Sequence, residues 1–355
     1  MKERIYVCHT FYNVYVTILK EFQMPEEQQG KAEIALSTIS TDFTGLKERL
    51  EESGLFARVW ILDEKKDTFF PELAKYKESS GNLLRHFYNR ILYTKKFPRL
   101  LESYILIDFS QYREVNVYCD SDPIGYYLNY KHIYYHALED GLDTLKYQDS
   151  AFYDNQGHFK LKAYLAKLNL IFIQNGFSKY CMDMEVNDFS CLRRTMPNYI
   201  EAPRRLLEQG LSSEQKKMLL RIFIADADAL FQKLKEEAEN GCVLFLTQPH
   251  PKDEAARKQV CLDIIKNYCQ GAHVVIKPHP RDLIDYEALC PDCTVLKGKF
   301  PVEILNFAEG IHFKKIISII TTALDTLTFA DEKINLGESF WDKYEDPSKH
   351  NWRTV

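Results

Sequence analysis

No apolar run in this chain of 355 residues comes near the roughly 20 residues that a membrane-spanning helix needs. Its first residues, Met1-Lys-Glu-Arg-Ile-Tyr-Val, pass straight into a strand pattern without the apolar stretch of a signal segment. A cytoplasmic protein is therefore expected, with any membrane association peripheral. Charge of one sign is also missing: 46 Lys and Arg against 51 Asp and Glu leave a net charge of -5, with both signs interspersed, which argues against a general nucleic-acid footprint. The G-x-G-x-x-G fingerprint of dinucleotide dehydrogenases is absent, as are internal repeats and low-complexity tracts. The 9 cysteines are an odd number and sit mostly inside apolar runs, as buried reduced thiols do. Cys290-Pro-Asp-Cys293 has the inner spacing of a zinc knuckle, but no second pair lies at a matching distance, so no metal site is expected.

What is present is the composition of a packed globular enzyme, 45% apolar and 13% aromatic, and a length that exceeds one comfortable core. Short apolar runs at 5–8, 34–39, 57–62, 104–107, 115–119 and 133–137 alternate with stretches of helical length, including 14–19. Such alternation predicts an α/β domain with a parallel sheet covered on both faces over 1–150. Residues 151–240 carry longer helical patterns, among them 212–240 with Gly241 as its stop, and read as a helical segment linking two domains. Runs at 242–246, 274–276, 294–296 and 316–320 predict a second, smaller doubly wound domain over 241–355.

Reactive groups concentrate in loops after the expected strands, where ligands of open α/β sheets bind. In Lys277-Pro278-His279-Pro280-Arg281 the prolines stiffen a loop that holds an imidazole between two cations, a device suited to phosphate. Thr247-Gln248-Pro249-His250-Pro251 echoes it after the preceding strand. Glu139-Asp140-Gly141 places adjacent carboxylates before a glycine, and like charge with partial burial raises one pKa towards that of a general base. A solvated turn with a helix cap is the structural alternative. Glu303 in Phe300-Pro301-Val302-Glu303 sits at a helix start, suited to the helix dipole or to ribose hydroxyls. Thr321-Thr322 follows a strand, as hydroxyls that bind phosphate or simply cap a helix do. Asp120-Ser121-Asp122 has the form of a divalent-cation motif and equally of a helix start, and is read as structural.

In order and spacing, Glu139-Asp140-Gly141, Pro278-His279-Pro280, the Phe-Pro-x-Glu segment ending at Glu303 and Thr321-Thr322 resemble the motif set of bacterial sialyltransferases. Val7-Cys8-His9-Thr10 and residues 244–250 look most like glycosyltransferase family 52, the lipooligosaccharide sialyltransferase family with relatives in capsule synthesis. The resemblance implies a GT-B fold, two doubly wound Rossmann-like domains facing a central cleft, with the acceptor on the N-terminal side and the donor on the C-terminal side. It implies CMP-N-acetylneuraminic acid as donor, a galactose-terminated glycan as acceptor, inversion at the anomeric carbon, and neither metal nor other cofactor. A homodimer and peripheral association with the cytoplasmic face of the inner membrane are compatible with this reading, and the sequence leaves the oligomeric state open.

Carried over by motif, His279 contacts or protonates the departing phosphate, Glu303 holds the ribose, and Thr321 and Thr322 hold the phosphate. Lys277, Thr247, Gln248, His9, Thr10, Glu139 and Gly141 complete the substrate-binding set. The base is Asp140 or His250: related families place it at the second acid of the acidic pair, whereas family 52 has an aspartate at the position His250 occupies. Two other readings share these loops, a GT-B transferase or sugar-nucleotide epimerase with another donor, and a non-catalytic glycan-binding capsule-assembly protein.

Overall fold

The computed structural model describes residues 1–77, 82–141, 145, 149–192, 194–239, 241–269 and 271–346, apart from the side chains of Cys191, Glu239 and Thr322. The chain divides into two compact units, Met1–Leu211 and Ser212–Val355.

The first unit is built on seven strands: β1 (Lys2–Cys8), β2 (Ala32–Ser37), β3 (Arg58–Leu62), β4 (Tyr112–Tyr118), β5 (Tyr135–Leu138), β6 (Cys181–Val186) and β7 (Tyr199–Glu201). They lie in the order β3-β2-β1-β4-β5-β6-β7, all parallel. β2 is buried along its whole length and β1 over its last five residues, as strands covered on both faces are. The helix after β1, α1 (Phe11–Phe22), starts at Thr10, whose hydroxyl accepts the Asn13 N–H while Asn13 returns the bond to the Thr10 backbone. α1 is clamped to β1 from inside the core: fully buried Glu21 takes two bonds from Arg4, at 2.6 and 2.5 Å, and one from the Tyr6 hydroxyl at 2.9 Å. Removing either partner of such a pair strands a buried charge.

Two sequence expectations change here. Residues 104–107 send Ile105 and Ile107 into the core but find no ladder partner, so they form an extended connection and not a strand. The stretch 151–240 is not helical throughout. It supplies β6 and β7 to the first sheet, and the boundary between the units falls inside it. β6 reads Cys-Met-Asp-Met-Glu-Val, an alternating edge-side pattern and not the unbroken apolar run that marks the central strands.

The second unit carries β8 (Val243–Leu246), β9 (Val274–Lys277), β10 (Thr294–Val295), β11 (Phe313–Ser318) and β12 (Ala330–Asn335) in the order β10-β9-β8-β11-β12, again all parallel. The expected helix over 212–240 is two, Ser213–Phe223 and Ala227–Glu239, the first opened by a Ser212–Gln215 capping box. Asn240 lies outside the described residues, and Gly241 takes a left-handed φ of 76°, as a helix stop does. β12 was not apparent in the sequence because Ala-Asp-Glu-Lys-Ile-Asn is an exposed edge strand with three consecutive charges.

Both sheets reverse direction of winding beside their first strand, at β1/β4 and at β8/β11. The loops leaving those strands at their carboxyl ends are where such folds bind ligands.

Candidate active site

In the first unit, the loops after β1, β3, β4 and β5 bring His9, Glu64, Asp122 and Asp140 together. His9 is buried, with Nε2 3.0 Å from Glu64 Oε1 and 3.5 Å from Asp122 Oδ2. Burial disfavours its charged form, but the charge and hydrogen bond of Glu64, with the charges of Asp122 and Asp140, outweigh that and push its pKa up to about 9. His9 is therefore an imidazolium at neutral pH. Its Nδ1 has no hydrogen-bond partner among the described residues, so the charge is held by surrounding acids more than by bonds.

The other oxygen of Glu64 accepts the Ile124 N–H at 2.7 Å, at the start of the helix Pro123–Tyr130. Asp122 is held above the ordinary carboxylate range by burial and by the charges of Glu64 and Asp140, against the pull of His9. Gly125 makes this loop possible: a Cβ there would lie 1.9 Å from the Asp120 carbonyl oxygen and 2.8 Å from the Phe172 ring.

Asp140 accepts from Asn13 Nδ2 at 3.1 Å, and the same nitrogen bonds the Asp140 carbonyl at 2.6 Å. Asn13 Oδ1 meanwhile accepts the N–H groups of His9 and Thr10, so one side chain ties the β1 loop to the β5 loop. Glu139, although adjacent, has a different task. It is buried, and its two oxygens accept the N–H groups of Leu145 at 2.9 Å and Asn187 at 2.8 Å. The sequence expectation of a coupled acidic pair is thus replaced by a scaffold glutamate beside an Asp140 that joins His9 and Asp122. Thr10 caps α1, and Gly141 is half-buried just after Asp140. Asp120 accepts from Asn175 N at 2.9 Å and Tyr135 at 3.0 Å, and burial raises it to about 6, which fits its structural reading.

In the second unit the loops after β8 and β9 are laced together. Thr247 Oγ1 accepts the His279 N–H at 3.0 Å and donates to Asp282, whose fully buried carboxylate also takes the Tyr286 hydroxyl at 2.7 Å and faces Arg257 Nε at 3.4 Å. The Arg281 N–H donates to His279 Nδ1 at 3.1 Å. That bond makes Nδ1 the acceptor, so in the neutral ring the proton sits on Nε2. Burial, Arg281, Lys277 and His250 push His279 down to about 4. Lys277 is buried and lowered to about 8, mainly by burial, with Glu303 opposing. Its ammonium donates to the carbonyls of Pro278 (3.1 Å) and Gly298 (3.4 Å) and lies 4.2 Å from the centre of the Phe300 ring, so it pins the loop from beneath.

His250 packs edge-on against Trp341, ring centres 5.8 Å apart, and is lowered by burial and by Arg281, Lys252 and Arg257. Gln248 is half-buried in the same loop. Glu303 is buried in the short helix Val302–Phe307, and Thr321 caps the turn Thr322–Asp325 by accepting the Ala323 N–H at 3.2 Å. The Thr322 side chain lies outside the described residues.

Sequence reasoning overlooked Asn13, Glu64 and Asp282, and placed Asp122 with the scaffold. The available signal was positional: His9 and the Asp120–Asp122 tripeptide both leave the strands that flank the β1/β4 switch point. No group of three or more His, Cys, Asp or Glu side chains among the described residues is arranged to hold a metal ion.

Two doubly wound units, each with polar loops at its switch point, define a GT-B fold. A solved structure with the same architecture is an alpha/beta-galactoside alpha-2,3-sialyltransferase from the luminous marine bacterium Photobacterium phosphoreum: TM-score 0.53, 13% identity, covering 94% of this chain and 89% of that one. A sialyltransferase from Photobacterium damselae, residues 113–497, covers 92% of this chain and 88% of its own, with 12% identity and a TM-score of 0.49. An uncharacterized protein of Haemophilus influenzae is 30% identical over 96 residues, 26% of this chain, and the match spans only 30% of that protein's length. Residues 62–336 match the model of glycosyltransferase family 52, and the chain belongs to that family of glycosyltransferases.

Proposed function

We propose that this chain is an inverting, metal-independent sialyltransferase that moves N-acetylneuraminic acid from CMP-N-acetylneuraminic acid to a galactose-terminated glycan of lipooligosaccharide or capsule. Family membership supports a sugar transfer. The name of its Photobacterium phosphoreum fold relative, a sialyltransferase acting on galactosides, supports sialic acid as the transferred sugar and galactose as the acceptor sugar.

The observation that carries the reading is the fixed tautomer of His279 on a loop with Arg281 and Lys277 close by. A neutral imidazole with its proton on Nε2, set among cations, donates to a phosphate oxygen, and the phosphate's negative charge in turn raises the imidazole's affinity for a second proton. CMP leaves as one phosphate group, so a histidine, a threonine hydroxyl and fixed charges supply what a metal supplies to diphosphates. In this reading the acceptor hydroxyl attacks the anomeric carbon opposite the phosphate, its proton passes to Asp140, and the bond to phosphate oxygen breaks with its electron pair leaving on CMP. Glu303 holds the ribose and Thr321 with Thr322 the phosphate, while His250, lodged against Trp341, supports the loop.

A nucleotide-release assay across CMP-, UDP- and GDP-sugars tests the donor. Turnover of CMP-N-acetylneuraminic acid is expected; release only from UDP- or GDP-sugars would give the chain to another donor.

A further inference from the structure

The first unit holds a cavity of about 540 Å³ that opens beside Asp122. That is the size range of small-ligand sites. A smaller one of about 180 Å³ shares Ser121 with it, and of the groups around His9 Asp122 lines the large cavity and Asp140 the small one. The wall of the large cavity combines aromatic rings with polar groups: Tyr93 meets Tyr126 edge-on with ring centres 5.8 Å apart, and Tyr126 is backed by the tilted Phe172 ring at 4.3 Å.

Its charges are unevenly satisfied. Lys77 pairs with Asp67, whose carboxylate also takes the Tyr93 hydroxyl at 2.6 Å. Asp122 faces the His9 imidazolium. Asp154 accepts from Gln174 at 3.0 Å. Arg90 and Lys66 remain, with His86 on the same lining. Among the described residues, neither cation has a carboxylate within ion-pair distance. Arg90 is half-buried, and the same guanidinium nitrogen bonds Asn155 Oδ1 and, at 3.2 Å, the Phe172 carbonyl, both neutral acceptors; Asp154 acts on it only through its field. A cation withdrawn from water onto neutral acceptors gains most from an arriving anion, and a guanidinium fork matches carboxylate and phosphate geometry.

We propose that this cavity is the acceptor subsite and that Arg90, aided by Lys66, recognises a negatively charged substituent, carboxylate or phosphate, on the glycan that presents the reacting hydroxyl to the His9 cluster. The proposal rests on the glycosyl-transfer reading above and adds a selection for acidic acceptors.

The test is binding of three galactose-terminated probes to the full chain, followed by calorimetry: neutral lactose, lactobionate as the carboxylate arm and lactose 1-phosphate as the phosphate arm. At least one charged probe is expected to bind roughly ten- to hundredfold more tightly than lactose, the order of one charge-assisted bond, and the arms tell which anion is preferred. Arg90→Gln is expected to bring that ratio to near one, and Arg90→Lys to restore part of it. If Arg90→Gln does not fold, Lys66→Gln, at an exposed position, is expected to lower the ratio by roughly threefold. Equal affinity for all three probes, no binding of any, or a ratio unchanged in a folded Arg90→Gln chain overturns the proposal. Charged-probe binding without turnover of CMP-N-acetylneuraminic acid leaves the site standing and removes the donor reading instead.

Discussion

The two units share one winding pattern and use it for opposite electrostatics. At the β1/β4 switch point a buried imidazole sits among Glu64, Asp122 and Asp140 and is raised to about 9; in the second unit, beside the switch-point loop after β8, another sits among Arg281, Lys277 and His250 and is lowered to about 4. Desolvation acts on both in the same direction, so the neighbouring charges alone decide the difference. The comparison teaches that strand order fixes where polar loops gather, while a few residues in those loops decide whether the place suits a proton acceptor or a phosphate.

Breaking either half should cost most in turnover. Asp140→Asn is expected to lower transfer by roughly 10² to 10⁴ while CMP still binds, and His279→Ala to lower kcat over a similar range, as loss of a base or of a charge-assisted donor does. Steady-state kinetics with folded variants checks both, and Glu303→Ala should show itself mainly as a raised donor KM. His250→Ala should be the milder variant; if it abolishes transfer and Asp140→Asn does not, the base belongs to the second unit.

The opposite shifts also make opposite predictions for stability against pH. His9 is raised, so its contribution is fully present below the unfolded value of about 6.5 and is lost as pH climbs to about 9, by up to about 3 kcal/mol. His279 is lowered, so its folded state loses stability as pH falls from about 6.5 towards about 4. Denaturant midpoints across pH should show the alkaline loss disappear in His9→Gln and the acid loss shrink in His279→Ala.

Gly125→Ala sharpens the first half structurally. Its added methyl collides with the Asp120 backbone, so a loss of about 1 to 3 kcal/mol in unfolding free energy is expected, together with a lowered His9 pKa as the Asp122 loop shifts. A variant as stable as the parent would mean that the loop yields freely. The smallest effect expected is none: EDTA should leave turnover unchanged, and loss restored by manganese would hand the phosphate to a metal.

Much of this was legible in the chain. The central strands announce themselves because burial on both faces demands unbroken apolar runs, as in β1, β2 and β9. The edge strands β7 and β12 and the strand β6 beside an edge do not, since partial exposure admits Asp, Glu and Lys. The loops at 139–141, 247–251 and 277–281 were found because stiff prolines and adjacent charges after a strand are local features. Glu64, Asn13 and Asp282 were not, because their meaning lies in what they touch: Glu64 is 55 residues from His9, and Asn13 is 127 from Asp140. The bonds of Glu139 were hidden for the same reason, since only the fold reveals that its oxygens accept from Leu145 and Asn187.

The division of labour between the two units is tested most directly by following both imidazoles by NMR through a pH titration, with and without CMP. The account predicts that CMP moves His279 upward from about 4 by at least one unit, as an added phosphate charge must, and leaves His9 near 9. A nucleotide that shifts His9 and leaves His279 in place would contradict it.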